Sequence, residues 1–448
     1  MVRGPTAPPC ASTATIWYMV IVLCVAIIVS YLDRGVIAVV VPFLKAEFQL
    51  SDVEIGLLQG ISFSFFFAVA SLPVGRLVDH LNRRNIIITG VLVWSVSTMM
   101  CGMAGSFWQL FIARAGVGIG EAFLLPAAYS MVADSFTAAR RGRAMSILTI
   151  ATSIGGGSSA LLGGILLTVW SGADLIPLPF FGPVATWRAV FLVAGTPGFI
   201  VVMFMLAMRE PRRAVRAPDE QVHVSDFAGH AIRNWRLFVP VYIAFSALFF
   251  YSYAIALWSP TVLTRTYGFS PGTAGMAAGS FQLVGSIAGA ILAGIIGDIM
   301  IARQQQYGRL RLWMIGLVPA VIGALFLAMP SAHFYLMGLG LALFASGLLT
   351  TTSYPALYDM VSPSMRGRSL AFYLFLGNIC GLGGGTLAVA FITEHVFLDE
   401  QLVYLSVALA GGSAMTISII MTFLMRRRYE AARLAHHDAN AQSAITQV

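Results

Sequence analysis

The chain of 448 residues is 58% hydrophobic and only 10% charged, with a mean hydropathy of +0.83, whereas a soluble domain carries about 25% charged residues. So little charge cannot cover a water-exposed surface, which excludes a soluble enzyme and points to lipid as the solvent. The sequence also holds no P-loop, which excludes an ATP-driven pump.

In chain order, apolar stretches occur at 15–43, 54–75, 85–105, 107–133, 144–170 and 187–208, then at 237–263, 272–297, 312–329, 334–360, 369–393 and 402–425. Each is close to, or longer than, the roughly 20 residues that cross a bilayer as a helix. Lipid offers no partner to an open backbone amide, so stretches this long and apolar must be helical. The ten-residue alternation of a membrane β-barrel is not seen. The expected fold is therefore all-α and polytopic, with 12 membrane helices in two sets of six. A tail at 1–14 leads into a first bundle at 15–208, and a linker at 209–236 separates it from a second bundle at 237–425. The linker is expected to hold one short amphipathic helix. Residues 426–448 read as a polar, mobile tail. The first apolar run contains Asp33 and Arg34 and lacks a small-residue cleavage site, so it reads as a span and not a removed signal.

Of 27 Lys and Arg residues, 22 fall in the tails, the linker or the loops on their side of the membrane. Only Lys45, Arg188 and Arg265 fall on the other side, and Arg34 and Arg114 lie within spans. The positive-inside rule then places both termini in the cytoplasm, and the compact loops suggest a bacterial inner membrane. The net charge of +8 reports topology and contact with anionic lipid headgroups, not nucleic acid. The four cysteines, Cys10, Cys24, Cys101 and Cys380, show no metal or redox spacing, and a monomer without cofactor is expected.

The two sets of helices repeat each other. At an offset of 219, Ser51, Gly56, Gly60, Gly75, Asp79 and Arg84 match Ser270, Gly275, Gly279, Gly294, Asp298 and Arg303. At an offset of 225, Asp134, Arg141, Gly142 and Arg143 match Asp359, Arg366, Gly367 and Arg368. Parallel duplication of this kind is expected of carriers whose halves rock about a midplane site.

The stretch Gly75-Arg-Leu-Val-Asp79-His-Leu-Asn82-Arg83-Arg84 resembles the signature loop of the major facilitator superfamily, with Asn82 in place of the usual glycine. A degraded copy, Gly294 to Arg303, stands at the matching place in the second half. Tyr31-Leu-Asp33-Arg34 in the first span resembles the Spinster branch of that superfamily, as does Arg114-Ala-Gly-Val-Gly118-Ile-Gly120-Glu121 in the fourth. The resemblance implies a carrier with alternating access. It further implies a conformational latch at the cytoplasmic ends, drawn from Gly75, Asp79, Arg83, Arg84, Asp134, Asp298, Arg141 and Arg366. Arg140, Arg143 and Arg368 are further candidate partners for it. Spinster proteins include proton-linked carriers of lysophospholipids and sphingosine phosphate. Proton-coupled symporters of sugar acids share a similar pattern of charges.

Only Asp33, Arg34, Arg114 and Glu121 are ionisable and deep within spans. Each costs several kcal/mol to bury unless paired or hydrated, so each is a functional candidate. Arg114 and Glu121 are seven apart and share a helix face, and helices 1 and 4 line the cavity in this superfamily. All four charges are therefore expected to meet, with Asp33 and Glu121 exchanging the coupled proton. The bland alternative is a static ion pair that only fixes helix packing. Arg114, then Arg34, are the expected anion ligands, because a guanidinium fork suits phosphate or carboxylate. The second half offers Trp258, Tyr354, Tyr358 and Asn378 as an aromatic and polar wall, alongside Tyr251, Tyr253 and Gln282. The leading function is proton-coupled transport of an amphiphilic anion such as a lysophospholipid. The alternatives are a sugar-acid symporter, a multidrug exporter, a transport-dead receptor and a lipid scramblase.

Overall fold

The computed structural model describes residues 13–173, 175–211, 213, 224–303, 308–362 and 365–446. Within these it leaves out the side chains of residues 76, 138–139, 141–143, 224–226, 301, 308 and 435–446. The latch candidate Arg141 lies outside the described side chains, and Cys10 outside the described residues.

Among the described residues 12 helices are long and apolar enough to cross a membrane. The first six are α1 Thr13–Phe48, α2 Asp52–His80, α3 Arg83–Met103, α4 Phe107–Ser135, α5 Ala144–Val169 and α6 Thr186–Ala207. The second six are α7 Trp235–Arg265, α8 Pro271–Met300, α9 Arg309–Leu327, α10 Ala332–Tyr358, α11 Arg366–Phe397 and α12 Glu400–Leu434. The all-α polytopic fold expected from hydropathy is the fold observed. A short helix at Val224–Arg233 lies in the linker, its Phe227 packing edge-on against Phe238 and Phe372.

Two features depart from the sequence reading. A hairpin pairs β1 Leu175–Leu178 with β2 Gly182–Ala185 between α5 and α6, where only a loop was expected. Helix also continues from Val403 to Thr446, through the segment read as a mobile tail. The alanine-rich run after Arg428 has high helix propensity, and Tyr429 is buried with its hydroxyl on the Ala356 carbonyl.

The halves meet where the duplicated glycines lie. A Cβ on Gly60 of α2 would sit 2.5 Å from the Leu382 carbonyl oxygen of α11, and one on Gly56 would sit 2.8 Å from Ala390. The second-half copies do the same in mirrored fashion: a Cβ on Gly279 of α8 would sit 2.7 Å from the Leu161 Cα of α5, and one on Gly275 would sit 2.9 Å from Gly164. Without water to drive association, small residues that let backbones approach are what pack membrane helices. By contrast, a Cβ on either member of the third duplicated pair, Gly75 and Gly294, would meet nothing within 4 Å. The molecule is thus closed at the Gly56 end, here called the sealed end, and parted at the other, the basic end.

Candidate functional site

Three helices of the first half converge on the buried charges. Ser106 caps α4, accepting from the Gln109 amide, and the helix breaks after Glu121. The break has a local cause: Pro126 lacks an amide hydrogen and its ring crowds the carbonyl of the residue four earlier, Ala122. Gly118 lets α4 run so close to α2 that a Cβ there would lie 2.5 Å from the Phe63 carbonyl oxygen. That approach brings the Phe63 ring to 4.6 Å from the Arg34 guanidinium and 5.6 Å from that of Arg114.

The four charges lie within electrostatic reach of one another and are arranged as two linked pairs. Arg34 donates through both Nε, at 2.7 Å, and Nη2 to Glu121 Oε2. Its guanidinium also stacks over Tyr31 at 4.5 Å. Asp33 pairs with neither arginine through its carboxylate. Its Oδ2 accepts from the Thr98 hydroxyl of α3 at 2.7 Å, and Arg114 Nη1 donates to the Asp33 backbone carbonyl at 3.2 Å. Register decides this: neighbouring residues 33 and 34 point to different sides of α1, one toward α3 and one toward α4. Asp33 Oδ1, Arg114 Nε and Glu121 Oε1 are buried without a protein partner.

Burial separates the two anion-ligand candidates. Arg114 is 1% exposed and sits behind Asp33, whereas Arg34 is 9% exposed and lies among aromatic rings. Arg34 is the arginine nearer the interior surface, which reverses the order given by sequence. Near it is a phenol ring in which Tyr31 of α1 and Tyr354 of α10 are each within electrostatic reach of the other, of Tyr129 of α4 and of Tyr253 of α7, and Arg34 within reach of Tyr31 and Tyr253. The half-buried Gln282 of α8 stands beside Tyr31 across Gly156.

The second-half candidates divide. Tyr354 joins the phenol ring. Trp258 is fully buried, with its indole donating to the Thr386 carbonyl at 3.0 Å, so it packs α7 on α11 and touches no cavity. Asn378 donates to Leu374 one turn back at 2.9 Å, and Tyr358 lies beneath the Arg366 guanidinium at 5.9 Å. Tyr129 and Thr98 were not singled out from sequence, since uncharged polar residues in spans are common, and Tyr31 entered only as part of the Tyr31-Leu-Asp33-Arg34 motif.

At the basic end the latch candidates also divide. Arg83 is 1% exposed and is spent within its own half, on Asp134 at 2.5 Å, Glu210 at 3.0 Å, Ser130 and the Pro211 carbonyl. Arg84 binds the Met208 carbonyl. These tie α3 to α4 and to the segment that follows α6, and do not reach the other half. Arg309 makes the equivalent pair with Asp359, which also accepts from Tyr429 at 3.1 Å. Burial pushes the Asp359 carboxyl above its usual range, with Arg309 pulling against that. Asp79 and Asp298 are exposed and, among the described residues, have no hydrogen-bond or ion-pair partner. Parting of the halves at this end accounts for their freedom.

The sealed end carries what sequence missed. Lys45 of α1 binds Asp52 of α2 at 2.9 Å and Glu400 of α12 at 2.5 Å. Arg265 of α7 grips both oxygens of Asp52 at 2.8 and 3.0 Å. Glu394 of α11 accepts from the Val53 amide at the start of α2 at 2.8 Å, where the helix dipole favours an anion. Charges from both halves thus cross the seam. Charges at span ends looked like ordinary loop residues, so nothing in the sequence marked these out. Among the described residues no cluster of three His, Cys, Asp or Glu side chains fits a metal ion.

Comparison with known proteins accords with this geometry. The profile of the Major Facilitator Superfamily matches residues 23–385. An "MFS-type efflux pump" of Mycolicibacterium smegmatis is 26% identical over 421 residues, covering 92% of this chain and 93% of the relative. Protein spinster homolog 1 of Bos taurus is 25% identical, covering 87% and 75%. A probable L-galactonate transporter of Escherichia coli is 27% identical over 290 residues, covering 62% and 60%. A crystal structure of a bacterial homologue of the human lysosomal transporter Spinster, inward-facing and unoccupied, superposes with a TM-score of 0.75 at 23% identity, covering 96% and 99%.

Proposed function

This chain belongs to the Major Facilitator Superfamily and is similar to its Spinster members, and from that premise we propose that it is a proton-coupled carrier of an amphiphilic anion. The observation that carries the proposal is the asymmetric interior: Asp33, Arg34, Arg114 and Glu121 are buried in the first half, with Arg34 within electrostatic reach of Tyr253 of the second. The Arg34 guanidinium, stacked on Tyr31 and Phe63, offers an anion a ligand among aromatic rings. A headgroup seats there while an acyl chain lies against apolar side chains of the interior. Burial of this kind is tolerable only when charges are paired or hydrated, and an anion that draws Arg34 away from Glu121 leaves the remaining buried charges with one negative in excess, so that a proton is taken up on Asp33. Substrate and proton binding are coupled in this way.

Positive charge at the basic end faces the cytoplasm of a bacterial inner membrane by the positive-inside rule, so the conformation described is inward-facing. In the outward-facing state the parted Gly75 and Gly294 close up, and Asp79 and Asp298 find partners across the seam. The protein acts as a monomer, its cavity formed between its own halves.

The second reading is a proton symporter of sugar acids, favoured by the likeness to the probable L-galactonate transporter. The two are separated by flux into liposomes holding the purified protein. Labelled lysophospholipid is expected to move with an imposed proton gradient and to stop moving when the gradient is removed. Uptake of galactonate without lysophospholipid movement would replace the lipid reading with the sugar-acid one. Lysophospholipid movement indifferent to the gradient would point to a scramblase.

A further inference from the structure

The carboxyl of Asp33 has one hydrogen-bond partner among the described residues, the Thr98 hydroxyl, with 2.7 Å between Oγ1 and Oδ2. That hydroxyl also lies 2.9 Å from the Trp94 carbonyl oxygen, one turn back on α3. A threonine hydroxyl carries one proton and accepts through its oxygen, so it cannot donate to both acceptors at once. The other groups facing Asp33 are Arg34 on its own helix, Arg114 and Glu121 from α4, and the Cys101 thiol from α3. An arginine only donates, so it serves the acceptor oxygens of either form but never accepts the O–H of a protonated carboxyl. Thr98 differs in satisfying either form.

We propose that Thr98 is the positioning residue for the coupled proton, switching its hydroxyl between Asp33 and the Trp94 carbonyl as Asp33 changes charge. With Asp33 ionised, Thr98 donates to Oδ2. When a proton arrives from the aqueous side, the new carboxyl O–H donates to Thr98 Oγ1, and the Thr98 proton turns to the Trp94 carbonyl. Thr98 keeps its own proton throughout, and the transferred one resides on Asp33. A site 1% exposed at both Asp33 and Thr98 thereby holds two charge states without leaving a donor idle in either. The inference rests on the proton-coupled reading above.

Infrared pH titration of the purified protein in lipid nanodiscs tests it without needing a substrate. The wild type is expected to show a protonated-carboxyl carbonyl band that disappears in Asp33→Asn. Thr98→Val, which keeps the shape and removes the hydroxyl, is expected to raise the midpoint of that band by about one to two pH units. Thr98→Ser, which restores the hydroxyl, returns the midpoint to the wild-type value. If Thr98→Val does not fold, Thr98→Cys, a weaker donor, carries the same test with a smaller upward shift. A Thr98→Val band at the wild-type midpoint and frequency overturns the role of Thr98 alone. A wild-type band that survives Asp33→Asn overturns the proton site and the Thr98 role together.

Discussion

Asp33, Arg34, Arg114 and Glu121 are buried inside the first half, while the interior of the second is filled by Tyr251, Tyr373 and Trp313, each hydrogen-bonded to backbone or hydroxyl groups. Yet the halves share a fold and a repeated set of residues. What they share is mechanical: glycines at the seam, and the Arg83–Asp134 and Arg309–Asp359 pairs that staple each half at its basic end. What they do not share is chemistry. Duplication has kept the hinge-and-seam parts on both sides and confined the ionisable groups to one. A second comparison, between ends, follows from it: the sealed end is held by glycine contacts and crossing charges, while at the basic end the duplicated aspartates have no partner among the described residues.

The largest expected effect breaks the comparison of halves. Asp33→Asn should abolish the dependence of transport on a pH gradient, measured as flux in liposomes with and without the gradient. Glu121→Gln comes next. It leaves Arg34 charged and unpaired at a buried site, and breaking such a pair costs about 3–5 kcal/mol, read as a lower thermal midpoint in detergent. Gradient-dependent transport should also be lost in this variant.

The comparison of ends is sharpened by two paired substitutions. Gly279→Leu forces a side chain into the α5 backbone and is expected to destabilise the sealed end by about 1–3 kcal/mol or more. Gly294→Leu meets no neighbour in this state, so its stability should match the wild type here while outward-facing closure is hindered. Cysteine labelling at each end distinguishes the two. Similarly, Asp52→Asn leaves Lys45 and Arg265 without their shared carboxylate and should raise labelling at the sealed end. Asp79→Asn should shift labelling the other way, toward a more populated inward-facing pattern. The smallest effect is expected at Trp258. Trp258→Phe removes one buried hydrogen bond, worth about 1 kcal/mol, and should leave substrate affinity unchanged, as binding measurements would report.

Much of this was legible in the sequence. Twelve spans follow from hydropathy because lipid admits few alternatives, and Asp33, Arg34, Arg114 and Glu121 stand out because charges in apolar spans are rare. Which arginine takes Glu121 was not legible. It depends on how α4 seats against α2, where Gly118 lies on the Phe63 carbonyl, a contact between distant parts of the chain. Thr98 was hidden among ordinary span hydroxyls. Lys45, Asp52, Arg265 and Glu400 were hidden for a different reason, since each is unremarkable alone and becomes a network only when the halves close. Arg83 and Asp134 were found by motif, but motif could not tell a staple within one half from a latch between two.

The most direct test of the account records proton and substrate movement together in liposomes, using a pH-sensitive dye and labelled lysophospholipid, for the wild type and Asp33→Asn. The wild type is expected to move protons in step with lysophospholipid, and Asp33→Asn to exchange lysophospholipid across the membrane with no proton movement. Substrate-driven proton movement of wild-type size in Asp33→Asn would contradict the assignment of the coupled proton to the first half's buried carboxyl.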